Sequence, residues 1–536
     1  MKKERRQPRK LPPPKRRAVR ERRDSFEAFT RLDKSAVIFL IFAFCLIHWL
    51  IRVLVAPVYT IEESDQLLMS QSLQLGYEAR QPPMLAWLHG LAALWPGVSG
   101  AAVFAIKYAL LFFGLTFYYL AARNVLQRPG VSAAAVASWA LTFYLGWGVQ
   151  EDLLGTVGQM AALSLTLHAL TRILTWRRNR DFMYFGLAIG LGLLTNHLFV
   201  VFPIALLIAT FTSPFFRDAL KPARLVWALV VAGAVYAPYL FWLSTHFERI
   251  ADVASEFAAT YEIDGAWLER VGQGVVSLGK GLLEFSLPLL LFWLMLFWSL
   301  WLPILYPMFA RRSTDEEPHE TAWRKLFART MLFAAGIYLI GAVIGVQVYK
   351  GYWMLPVLGV GPIWLFTHVK RAGEFPVAIR AYAAIVMMSC VAVIAGRVVE
   401  WRFEIAMCDE GGCRPYAPVK AWAEALQKAG FNGGTIVGDD KHLTGNLRGL
   451  FPKARVMDAS LPAQAFPPAS LNGACLAVWR DYTVMSEDLK NYLTDELGAP
   501  PRDPGPDGAV RRPLRMSGNK AATLYFQFVP PSEKCR

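Results

Sequence analysis

The chain has 536 residues, 55% of them hydrophobic and 13% aromatic, with a mean hydropathy of +0.32. That balance excludes an ordinary soluble enzyme and a disordered chain, and it fits a polytopic α-helical membrane protein. The formal net charge of +15 is unevenly spread: residues 1–33 form a basic tail around Pro12-Pro13-Pro14. A Lys/Arg cluster directly before an apolar run sets topology and meets anionic lipid, so the expected contact is a bilayer and not nucleic acid.

In chain order, apolar runs that can cross a bilayer recur about eleven times. They fall near 36–55, 101–122, 131–149, 157–174, 183–194, 198–213, 225–243, 285–309, 329–347, 353–369 and 376–398. No small-residue cleavage site follows the first, which reads as a retained span. The fifth and sixth are too short to span alone at about 1.5 Å per residue. They form either one broken helix or a short hairpin with Thr195-Asn196-His197 at its tip. Arg123/Arg128, Arg177-Arg178-Asn179-Arg180, Arg217/Lys221/Arg224, Arg311/Arg312/Arg324/Lys325 and Lys370/Arg371 mark the cytoplasmic loops. Only the isolated Arg80, Arg249, Arg270, Lys280 and Lys350 fall outside. An odd number of crossings from a cytoplasmic N-terminus leaves the C-terminus on the outer side.

The membrane unit thus covers 34–400, with a first outer loop at 56–100 and a second at 244–284, long enough to lie on the surface as an amphipathic lid. Residues 401–536 have the composition of a small periplasmic α/β domain. Helices are expected at 419–428 and 443–450, and strands at 434–438, 454–457, 475–479 and 522–529. Cys45 and Cys390 read as packing residues. Cys408/Cys413 and Cys475/Cys535 read as disulfides of an oxidising compartment, in preference to a metal site.

The chemistry concentrates in the first outer loop, Tyr59-Thr60-Ile61-Glu62-Glu63-Ser64-Asp65-Gln66, followed by Gly76-Tyr77-Glu78-Ala79-Arg80-Gln81-Pro82-Pro83. Three carboxylates in four residues beside a span are expensive unless they have a task. They are either a solvated acidic loop or the source of a general base, Glu62 or Glu63. Glu151 and Asp152, after the third span, are a second acidic group on the same side, where a helix N-terminus favours acids in any case. Lys350 is the sole charge between two apolar runs. It either holds an anion or snorkels to the interface.

The run Glu-Glu-x-x-Gln-x-x-x-Ser-Gln-x-Leu-x-x-Gly-Tyr-x-x-x-Gln-Pro-Pro resembles the first periplasmic loop of GT-C polyprenyl-phosphate-dependent glycosyltransferases. The likeness is to family 39, which holds protein O-mannosyltransferases, aminoarabinose transferases and galacturonosyltransferase-like relatives. Glu62 stands where that family has its catalytic Asp, and Glu63 where it has Glu. Glu151-Asp152-Leu153-Leu154 is similar to a further acidic pattern of the family. Gly190–His197 resembles a stretch that carries Lys where this chain has Asn196, and 348–356 resembles an aromatic–Pro turn.

The resemblance implies a GT-C-like fold and an inverting transfer of sugar from a polyprenyl-phosphate donor to lipid A or core, another glycan or a protein. Glu62 and Glu63 are then the catalytic candidates. Asp65, Arg80, Gln81, Glu151, Asp152, Asn196, His197 and Lys350 are the substrate-binding candidates. No cofactor is required; a divalent metal is compatible with the chemistry, but no metal ligand is assigned. The rival reading, a transporter or lipid flippase, would place ionisable groups mid-membrane within repeated halves. Here they gather at one face.

Overall fold

The computed structural model describes residues 33–56, 58–93, 100–247, 266–300, 318–369, 376–402, 414–470, 472–480, 482–502, 505–515 and 520–536. The basic tail and Cys408/Cys413 lie outside these. Long helices dominate up to residue 402. They are α1 (Lys34–Val55), α2 (Ile61–Met69), α3 (Met84–Ala93), α4 (Gly100–Leu126), α5 (Pro129–Ala137), α6 (Leu154–Trp176) and α7 (Asn179–Leu193). After them come α8 (Val201–Phe211), α9 (Pro222–Thr245), α10 (Trp267–Leu296), α11 (Pro318–Ile344) and α12 (Pro376–Arg402).

Among the described residues, six helices are long and apolar enough to cross a membrane: α1, α4, α9, α10, α11 and α12. A seventh span arises if Pro129–Leu141 and Phe143–Glu151, bent by 78°, count as one. The expected eleven exceeds this for physical reasons. At 23 residues α6 is as long as a span, but its Gln159, Ser164, Thr166 and Thr171 are buried inside the bundle. A helix enclosed by others needs no lipid-grade hydropathy. The run 353–369 is cut into Leu355–Leu358 and Gly361–Phe366 around Gly359, Gly361 and Pro362.

Two expectations shift. The eighth run was placed at 285–309, yet α10 starts at Trp267, so the later part of the expected lid, including Arg270 and Lys280, is already helix. Residues 248–265 of that loop lie outside the described residues. The fifth and sixth runs are separate helices that turn at 194–197; α7 lies along α6 and α9, and α8 along α11.

One end of the bundle is tied by basic side chains. Arg128 pairs with Glu320 at 3.3 Å and Arg224 donates to Arg177 O at 2.9 Å. Arg324 donates to Thr367 O at 3.1 Å and Arg329 to Thr212 O at 2.7 Å. The opposite end carries α2, α3 and the C-terminal unit.

That unit is a five-stranded sheet in the order β2-β1-β3-β5-β4. Helices α13 (Val419–Lys428) and α14 (Lys441–Leu450) accompany it. β1 (Gly434–Gly438), β2 (Arg455–Asp458) and β3 (Ala474–Arg480) are parallel, whereas β4 (Gly508–Pro513) and β5 (Ala521–Val529) run antiparallel at one side. The Cys475–Cys535 disulfide ties β3 to the chain end.

Helix α14 is laid directly on α2. Asn446 accepts from Tyr59 N at 2.9 Å and donates to Tyr59 O at 3.1 Å. Gln71 likewise gives to and takes from the Val456 backbone, at 2.7 and 2.9 Å. The helices touch at Gly445, where an added Cβ would come within 2.4–2.6 Å of Ser64, backbone included. Only glycine permits that approach.

Candidate active site

The site is built on α2, whose start is fixed by a capping box. Thr60 Oγ1 accepts from Glu63 N, and the Glu63 carboxylate accepts from Thr60 N at 3.0 Å. The adjacent acids then diverge, because residues one apart on a helix point about 100° away from each other. Glu63 is 1% exposed and turns inward to Arg52 of α1 at 2.7 Å. Arg52 also reaches the carbonyls of Ala56 and Val58 and lies 4.0 Å over the Phe104 ring. Burial alone would raise the Glu63 carboxyl, but Arg52 and Lys107 hold it below its ordinary value.

Glu62 is half-buried and points to the start of α6, where Gly155 N–H donates to its Oε2 at 2.7 Å. The free amides at a helix N-terminus make this an anion site. Its neighbour is Asp152, which receives the Thr60 hydroxyl at 2.6 Å. Leu153 follows with φ +57°, a left-handed conformation costly for leucine, and swings Asp152 and the α6 N-terminus together. Burial first, then the Asp152 charge, push the Glu62 carboxyl up. Asp152 is also raised by burial, despite Lys107 and the Thr60 hydroxyl. Two carboxyl groups sharing one enclosed space resist double ionisation.

The other expected binding residues fall into distinct places. Asp65 pairs with Lys441 of α14 at 3.0 Å, and Glu78 lies 3.8 Å from the same ammonium. Gln81 accepts from Gln66 at 3.0 Å, and Arg80 is exposed nearby. Asn196 caps the turn after it, taking the Leu198 amide at 2.8 Å. His197 donates to Ala79 O at 3.0 Å and stacks on Tyr239, so it braces the 76–83 loop. Glu151 is exposed and faces Arg397 and Glu400 of α12. Lys350 is exposed, 5.9 Å from the centroids of both Tyr352 and Trp353.

Sequence reasoning passed over the inner cations, Arg52 and Lys107. Lys107, on α4, is 1% exposed and its Nζ has no hydrogen-bond acceptor among the described residues. A lone Lys within the 101–122 apolar run was the available signal. Among the described residues, no three His, Cys, Asp or Glu side chains converge as a metal site.

Residues 80–242 match a family profile described as dolichyl-phosphate-mannose-protein mannosyltransferase. Two curated relatives from Rhizobium johnstonii, the lipopolysaccharide core galacturonosyltransferases RgtA and RgtB, are each 28% identical, over 483 and 477 residues. Each alignment covers 87% of this chain and 92% of the relative. The crystal structure of apo ArnT from Cupriavidus metallidurans shares the fold, with a TM-score of 0.55 at 12% identity over 92% of this chain and 98% of that one. A multi-pass helical fold shared with that structure and a likeness to sugar transferases over most of the chain thus agree with the loop motif and support a membrane glycosyltransferase.

Proposed function

We propose that the protein transfers a sugar from a polyprenyl-phosphate donor to a cell-envelope acceptor at the periplasmic face of the inner membrane, with Glu62 as general base. The observation that carries this is Glu62 itself. It is a half-buried carboxylate at a helix N-terminus, beside Asp152, while its neighbour Glu63 is committed to Arg52. The side of the membrane is supported by the bundle's two ends: the arginine ties gather at one and the acids at the other, as the positive-inside rule requires.

In this reading Glu62 takes the proton of the acceptor hydroxyl as its oxygen attacks the anomeric carbon. The carbon–oxygen bond to phosphate breaks, its electron pair leaves with the polyprenyl phosphate, and the anomeric centre inverts. The exposed Arg80 and Lys350 are the cations this reading assigns to the leaving phosphate, which an ammonium or guanidinium can hold. A cavity of about 690 Å³ lies beside Tyr59 and Phe104, walled by Val53, Val419 and Leu450, and neither Glu62 nor Asp152 lines it. The names of the two full-length relatives make a uronic-acid donor and a lipopolysaccharide core acceptor the first pair to assay.

The test is transfer by purified enzyme in lipid. Glu62→Gln should lower the rate by about 10²–10⁴-fold with the melting temperature held. Glu63→Gln should instead lower stability. Wild-type rates in Glu62→Gln would remove the assignment. Because Glu62 and Asp152 are raised above the usual carboxylate range, the rate should fall on acidification at a pH above about 4.3. Stability should run the other way. A carboxyl whose folded value is raised holds its proton longer when folded, so its contribution is present at low pH and declines as pH rises toward that value.

A further inference from the structure

Lys107 is a charge the mechanism above does not use. Its ammonium is sealed from solvent and accepted by no oxygen among the described residues, yet four other charges face it. They are, from the largest, Glu63 of α2, Asp152 before α6, Arg52 of α1 and Glu62 of α2; Phe104, three residues before Lys107, lies 4.0 Å under Arg52, and the adjacent Tyr108 donates to Gln150, two residues before Asp152, at 3.0 Å. His48 of α1 faces it as well. Beyond this ring, Asp65 faces Glu62 and Arg397 of α12 faces Arg52, while His89 of α3 and Tyr59 face Glu63.

A charge balance follows. Glu63 and Arg52, in contact at 2.7 Å, cancel in the count, although Lys107 also acts on Glu63. Glu62, Asp152 and Lys107 remain. With one proton on the two acids this trio is neutral, and with none it is negative. Without Lys107 it would be neutral only with both acids protonated, and neither could then act as a base. A shielded site favours the neutral count. Being 1% exposed, Lys107 acts through the acids and not by touching substrate.

We propose that Lys107 is a positioning residue for the transfer reaction, whose fixed charge holds Glu62 and Asp152 as a pair with a single proton between them. One carboxylate is then always open to take the acceptor's proton. This rests on Glu62 being the base.

The experiment is an infrared titration of the full chain in lipid nanodiscs, with the Glu62 carboxyl band identified by its loss in Glu62→Gln. Lys107→Met should move the half-titration up by about one pH unit or more, a tenfold or greater gain in proton affinity. The acid limb of the transfer rate should move with it, and Lys107→Arg should return most of the shift. An unmoved titration in Lys107→Met, or Lys107→Arg behaving like Lys107→Met, overturns the proposal. If Lys107→Met does not fold, Lys107→Met/Asp152→Asn should, because it removes one charge of each sign. Failure of that double variant to fold also overturns it. The infrared reading needs no substrate, so a wild type that transfers no sugar sinks the base assignment while the charge balance is still judged.

Discussion

At the start of α14, Asp440 accepts from the amides of His442 and Leu443 and pairs with Arg480 at 2.7 Å, while Asp439 receives the Ser486 hydroxyl. Asp458, one strand over, takes the hydroxyls of Thr444 and Ser460. At the start of α6 the ingredients are the same, namely carboxylates, a helix N-terminus and nearby cations, yet Lys107 has no hydrogen-bond partner among the described residues and two acids lie side by side. Asp439 and Asp458 are raised by burial, as Glu62 and Asp152 are, and the contrast lies between Asp440 and Glu62. Burial would raise Asp440, but Arg480 and the helix amides bring it below its ordinary value; Glu62 is driven up. Asp440, paired with a guanidinium and two helix amides, holds the fold, whereas Glu62, with no cation in contact among the described residues, is the acid that the proposed mechanism uses. The boundary between the two kinds runs between residues 62 and 63.

That boundary can be broken by Arg52→Met. Glu63 would be left buried with no guanidinium, and breaking a buried pair from one side costs about 3–5 kcal/mol. Thermal unfolding of the purified chain should show the loss, and Arg52→Met/Glu63→Gln should recover most of it. If Arg52→Met melts with the wild type, Glu63 belongs to the reactive group after all.

Asp440→Ala probes the saturated cluster. It removes a helix cap, worth about 1 kcal/mol, and strips Arg480 of a partner, for a total near 2–3 kcal/mol. The sign with pH is fixed by the lowered carboxyl. Its stabilisation is present above the unfolded value of about 3.9 and is lost as pH falls through the folded value, so the variant should lose part of the acid sensitivity of unfolding. The pH profile of transfer should stay where it is. A displaced profile would join the two clusters into one system.

Much of this was legible in the residues, and the failures have causes. Thr60-x-x-Glu63 is a readable capping box, and the acids after the first span announced themselves by their cost near lipid. Which glutamate turns inward was not readable, because that depends on Arg52 of α1 and Gly155 far along the chain. Strand 434–438 and helix 419–428 were visible by pattern and agree with β1 and α13. β4 was missed because Arg511, Arg512 and Pro513 disguise an edge strand as a loop; charge and proline are what an edge strand carries to refuse further pairing. Asp65 read as a substrate contact, yet its partner Lys441 lies in the C-terminal unit, a pairing no local pattern encodes.

Lys441 therefore offers the mildest and most discriminating perturbation. It joins the two clusters physically, sitting at the first position of α14 while its ammonium reaches Asp65 on α2 and Glu78 on the following loop. At a quarter exposure the pair is partly screened by solvent, so Lys441→Met should cost only about 0.5–1.5 kcal/mol. Asn446 and Gln71 would still hold α14 against the loop. If the C-terminal unit steadies the helix that carries the base, the transfer rate should fall about two- to fivefold with little change in donor KM, since alignment is lost and not binding. Asp65→Asn should give a similar fall, and Lys441→Met/Asp65→Asn should fall no further than either alone, because contacting residues are not additive. Full additivity would mean that Asp65 has a separate role at the substrate, and the division between fold-holding and reactive acids would then have to be redrawn within α2.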